Sequence, residues 1–203
     1  HFAPGCDNTA RRVAETAEEV FAPLAAGYGY FDDFQTIHVL VLDSSDLLGN
    51  GMTDYYSNTI YIWATSLDTE LRGTHDWIRN VLTHELAHLI SLNKARHKWP
   101  FQFALVNVSR ADANPDIAFS FPLYHMSVPR GWAEGVAQHG ADQFGFDTWD
   151  SHRDMLLRMA ALEDDLLSWQ ELGSLEDRTG KYYGEMVYNQ GYALSLYIAD
   201  RYG

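Results

Sequence analysis

Three observations predict an α+β fold. Two short β-rich runs fall in the first third of the chain, helical spacing dominates afterwards, and 46% of the 203 residues are apolar. Strands gathered early and helices gathered late point to segregated layers. This length and apolar content supply one sizeable core, read as a single domain over residues 1–203, or at most two small lobes about a cleft. The same composition excludes wholesale disorder.

The elements follow in order. Asn8 or Thr9 can cap a first helix running to residue 26, with Val13, Ala17, Val20 and Leu24 at helical spacing and Gly27 at its end. Residues 36–42 (TIHVLVL) are short and β-rich, as a buried strand should be. Residues 43–54 contain Gly49-Asn50-Gly51, a turn signal. Residues 59–63 (TIYIW) form a second strand. Thr74 can cap a long helix to residue 96, with Asp76 favourable in its first turn. Residues 98–128 mix six aromatics (Trp99, Phe101, Phe103, Phe119, Phe121, Tyr124) with Pro100, Pro115 and Pro122. Helices packed on the body of the domain are the simpler expectation there; a lid over a cleft or a partner surface is the other. Residues 131–142, 148–164 and 184–201 read as helices, and Asp164-Asp165 as a solvated helix end.

Several function classes are disfavoured. No stretch reaches the roughly 18 to 20 apolar residues that span a bilayer, so no membrane span is expected. A formal charge of −14 repels phosphate backbones and argues against nucleic acid as a partner. Cys6 is the single cysteine, so no intrachain disulfide can form. Gly5-Cys6 has the form of a lipoprotein processing site, but no apolar stretch precedes it, and an ordinary loop cysteine is expected. The ends at His1 and Gly203 read as those of a processed chain or an excised domain.

The chemistry centres on His84-Glu85-Leu86-Ala87-His88. Two histidines four residues apart lie one turn apart on the same helix face, where both imidazoles can bind one tetrahedral zinc. Glu85 beside them can reach a zinc-bound water as general base. Ile78, Val81, Leu82, Leu86, Leu89 and Ile90 supply the buried side of that helix. In a chain of this composition HExxH arises by chance on the order of 0.02 times. The bland alternative is a buried helix that happens to carry two histidines.

A catalytic zinc needs a third protein ligand and one open position. Glu134 fits best, because Trp132, Val136 and Ala137 surround it and a carboxylate in an apolar helix requires a cation. An Arg partner would satisfy it equally well. His97, His125 and His139 are the other available ligands. No Gly followed by a suitably spaced His stands behind His88, which disfavours the metzincin arrangement. His38 and His75 read as structural, and Arg79 as a partner for some carboxylate.

The HExxH helix followed by Trp132-Ala133-Glu134-Gly135 resembles the gluzincin metallopeptidases. It is most similar to the zinc aminopeptidase and leukotriene hydrolase family and to peptidase-MA-like domains found beside bacterial β-propellers. Tyr188-Asn189-Gln190-Gly191 matches that family's Tyr-x-x-Gly helix. The resemblance covers roughly residues 55–203. It implies a zincin-like fold: a small twisted sheet, with residues 59–63 as the edge strand that binds extended peptide, above the HExxH helix and a mainly helical C-terminal part. It also implies one Zn2+ per chain on His84, His88 and Glu134, catalysis by Glu85 with Tyr188 stabilising the oxyanion, a peptide or protein substrate, a secreted or periplasmic location, and an adjoining domain such as a β-propeller. Three departures stand out. No Gly-x-Met-Glu-Asn amine anchor precedes His84, residues 98–128 form an insertion between the ligands, and Gln138 stands where thermolysin-like relatives place Asp. Beside the peptidase reading stand a zinc-stabilised binding domain without catalysis, and a zinc hydrolase acting on a non-peptide amide or an epoxide.

Overall fold

In chain order the elements are α1 (Asp7–Gly27), β1 (His38–Leu42), β2 (Gly51–Asp54), β3 (Thr59–Trp63), α2 (Trp77–His97), β4 (Val106–Ala111), β5 (Asn114–Phe119), α3 (Arg130–Asp142), α4 (Ser151–Leu162), α5 (Trp169–Gly173) and α6 (Lys181–Tyr202). They come from a computed structural model that describes residues 1–30, 36–43, 50–55, 57–65, 76–97, 106–111, 114–119, 128–146, 151–173 and 181–203. The chain is α+β, mostly helical with one small three-stranded sheet.

Helix α1 buries Val13, Thr16, Val20 and Leu24, one stripe at three- and four-residue spacing. It starts at Asp7 behind Cys6, which makes no side-chain cap, so neither Asn8 nor Thr9 caps it. Cys6 itself is buried in the main core.

The sheet order is β1-β3-β2, with β1 parallel and β2 antiparallel to β3. This corrects the expected edge strand. Residues 59–63 form the centre of the sheet, and Ile60 and Ile62 are fully buried as a central strand requires. On the far side of β1, the N-terminal residues pair with Val41 through Ala3 N–H to Val41 O (3.0 Å) and Val41 N–H to His1 O (3.0 Å). Among the described residues the edge left open is β2, which lies inside the segment expected to be a turn. Gly49 lies outside the described residues; Asn50-Gly51 leads directly into β2.

Helix α2 carries HExxH. Asp76 meets its first turn, as expected: Asp76 Oδ1 accepts from Arg79 N–H at 3.4 Å. Thr74 and His75 lie outside the described residues. Residues 80–90 are buried on every side, which exceeds the one buried face expected. The helix packs against α1, α3, β2 and β3. Leu82, Leu86, Leu89 and Ile90 are almost completely buried, each contributing about 1.5–3 kcal/mol. Arg79 pairs with Glu19 and lies over the Phe146 ring, 4.0 Å from its centroid.

Residues 106–119 pair as an antiparallel hairpin, β4 with β5, rather than forming the expected helices. Trp99, Pro100, Phe101, Phe103, Phe121, Pro122, Tyr124 and His125 lie outside the described residues. Helices α4, α5 and α6 enclose a second, smaller core of Ala160, Leu167, Leu172, Met186 and Val187. Asp164 is exposed at the end of α4, as expected for a solvated end.

Candidate metal centre

The local geometry of α2 places His84 and His88 one turn apart, with ring centroids 4.7 Å apart and planes at 84°. Glu134 reaches them from α3. What lets α3 arrive is glycine. A Cβ on Gly140 would come within 2.7 Å of the Tyr28 hydroxyl and 3.0 Å of Ala87 Cβ, so only glycine lets α3 lie this close to α1 and α2. Tyr28, half-buried at the end of α1, donates its hydroxyl to Val136 O at 2.9 Å and ties α1 to α3.

On its other side α3 meets α6 backbone to backbone. A Cβ on Gly135 would sit 2.0 Å from Gly191 O, and a Cβ on Gly191 would sit 1.9 Å from Gly131 O. The glycines of Trp-x-x-Glu-Gly and Tyr-x-x-Gly are therefore one contact. It draws the helix carrying Glu134 against the helix carrying Tyr188.

The result is a compact donor set. Glu134 Oε2 lies 3.2 Å from His84 Nε2 and 3.0 Å from His88 Nε2. The three donor atoms all fall within 4.8 Å of one another. Ligands 2.0–2.1 Å from a tetrahedral zinc stand roughly 3.3 Å apart, so these residues fit a metal of that size. Two imidazoles and one carboxylate are a donor set that several first-row metals accept, zinc among them. The second Glu134 oxygen turns to Arg130, whose Nε is 3.9 Å from Oε1. The imidazoles are closer than this arginine, so the alternative of a carboxylate kept only by an Arg does not describe the site.

Burial by itself pushes the Glu134 carboxyl up. His88, facing it, and the hydrogen bonds from His84 and His88 outweigh that and hold it far below the usual carboxylate range. Burial likewise pushes the His88 imidazole down, but the charge and hydrogen bond of Glu134, with the charge of Glu85, raise it overall. The pocket thus already balances a buried anion against positive charge, a task a dication would take over. The buried His88 Nδ1 has no hydrogen-bond partner among the described residues. Gln138 is buried at 3% exposure, and no acceptor that would orient His88 is visible.

Glu85 is 6% exposed beside the triad. It lines a small open pocket with His84, Tyr188, Trp77, Asn80 and Gly51. The Tyr188 ring lies 6.0 Å from that of His84, so the tertiary structure brings Tyr188 to the centre. His139 stays outside the cluster, its Nε2 3.2 Å from Gln143 Nε2. His38 stacks on His1. Side chains at His97 and His125 lie outside the described residues. Thr53 and Gly51 of β2, which contact Glu85, went unforeseen; the alternation Gly-x-Thr behind the turn was the available signal. No protein-family model, curated protein or solved structure matches the chain.

Proposed function

We propose that the protein is a zinc-dependent hydrolase, a peptidase of gluzincin type with a zincin-like fold. The observation that carries this reading is the convergence of His84 Nε2, His88 Nε2 and Glu134 Oε2 beside a second, separate carboxylate, Glu85, in an open pocket. A purely structural zinc is normally closed by four protein ligands and has no use for such a base.

His84, His88 and Glu134 would hold the ion. When bound, zinc supplies a water acidified from a pKa of 15.7 toward about 7 and polarises a substrate carbonyl. Glu85 takes the proton of the attacking water and passes it to the leaving amine. The Tyr188 phenol donates toward the charge that develops on the carbonyl oxygen. The edge of β2, which pairs with no further strand among the described residues, supports binding of an extended peptide by main-chain hydrogen bonds.

Metal analysis combined with a peptide-library cleavage screen tests the proposal. Purified protein should carry about one zinc per chain. Glu85→Gln should keep the metal and lose hydrolysis; Glu134→Ala should lose the metal itself. Zinc binding without cleavage of any peptide would favour the non-catalytic binding domain. Hydrolysis equal to wild type in both variants would refute the assigned roles.

A further inference from the structure

Two residues of β2 meet the Glu85 side chain. Thr53 Oγ1 lies 2.7 Å from Glu85 Oε2 and 2.9 Å from the Glu85 main-chain oxygen. Gly51 stands two residues earlier, on the same face of the strand. A Cβ there would fall 2.7 Å from Glu85 Oε1, 2.9 Å from Glu85 Cγ and 2.5 Å from a Val81 methyl. Met52, between them, points to the opposite face and is 50% exposed. The alternation of the strand therefore aims two consecutive inward positions at one carboxylate. One supplies a donor and the other supplies space.

A threonine hydroxyl has a single proton to donate. The Glu85 carbonyl already lies within the helical hydrogen-bond ladder of α2, whereas an ionised carboxylate oxygen is the stronger acceptor. The proton therefore goes to Oε2. This matters because a glutamate has three rotatable side-chain bonds, and a base must be held near the productive geometry when the proton moves. The hydrogen bond from Thr53 fixes that oxygen.

We propose that the segment Gly51-Met52-Thr53 is a positioning element for the general base: Thr53 holds one oxygen of Glu85 and Gly51 leaves room for the other. This rests on the hydrolase reading for its consequence, but not for its geometry. Thr53 is a positioning residue, acting only through Glu85.

The test uses Thr53→Val, which keeps the shape and removes the donor, with Thr53→Ser as the rescue and Thr53→Ala in reserve should the valine variant fold poorly. Zinc stoichiometry and affinity should match wild type in all of them. With a peptide substrate, Thr53→Val should lower kcat about 10- to 100-fold with little change in KM, and Thr53→Ser should restore most of it. Crystal structures of the wild type and Thr53→Val supply a readout independent of activity. Glu85 should occupy one orientation against Thr53 in the first and leave it in the second. A valine variant with wild-type kcat, a serine variant as slow as valine, or Glu85 unmoved in the Thr53→Val crystal would each overturn the proposal. Wild-type protein without any zinc-dependent hydrolysis would instead refute the hydrolase reading, and the crystallographic comparison would still decide the positioning.

Discussion

Replacing Gly191 with alanine should damage the metal centre from a residue that is not itself one of its donors. The added Cβ would sit 1.9 Å from Gly131 O and 2.8 Å from Gly131 C, against a floor of 3.0 Å for real Cβ contacts. Both atoms are backbone, in the first turn of α3, so no rotamer change can relieve the clash. The helices α3 and α6 must part by about 1 Å, an overpacking strain that costs about 1–3 kcal/mol. Glu134 rides on α3 between Gly131 and Gly135, and its oxygen meets the imidazoles at 3.0 and 3.2 Å. Metal sites hold ligand distances to about 0.2 Å, so a shift of this size should weaken zinc binding at least tenfold. Thermal denaturation with and without zinc, together with calorimetric titration of the metal-free protein, reads both effects. The variant should melt lower, and zinc should raise its melting temperature less than it raises that of wild type. A Gly191→Ala protein with wild-type melting temperature and wild-type zinc affinity would show that the glycine contact does not set the position of Glu134.

Two further outcomes are expected. The metal-free protein should show a pH signature from the buried pair: His88 is raised above its ordinary 6.5 and Glu134 lowered below its ordinary 4.5. The His88 contribution to stability is complete below pH 6.5 and is lost as pH rises through its raised value. The Glu134 contribution is present above pH 4.5 and is lost as pH falls through its lowered value. Zinc must displace the imidazole proton, so the zinc-induced rise in melting temperature should grow from about pH 6 to about pH 8; a rise independent of pH would refute this account. Tyr188→Phe should lower kcat about 100-fold at unchanged zinc content if the phenol stabilises the oxyanion, and steady-state kinetics showing wild-type kcat would remove Tyr188 from the mechanism.

The residues of one helix were readable without any fold. Four-residue spacing on α2 puts His84 and His88 on one face wherever the helix lies, and the helical stripes of α1 and α3 follow the same local rule. The pairing of Glu134 with those histidines was legible only as a chemical need: a carboxylate among apolar neighbours requires a cation, but no periodicity says which one. The packing of α3 against α2 answers it, and the crossing of α3 and α6 adds Tyr188. Gly135 and Gly191 stand far apart in sequence, and their contact depends on two helices meeting, which local spacing cannot encode. Strand order failed for a related reason. Residues 59–63 look equally β-rich at an edge or in the middle, and β2 has only four residues led by glycine, so the turn signal before it masked the strand. Which strand borders the site, and therefore that Thr53 meets the carboxylate of Glu85, was decided by long-range backbone pairing, because hydrogen bonds between strands depend on partners rather than on composition.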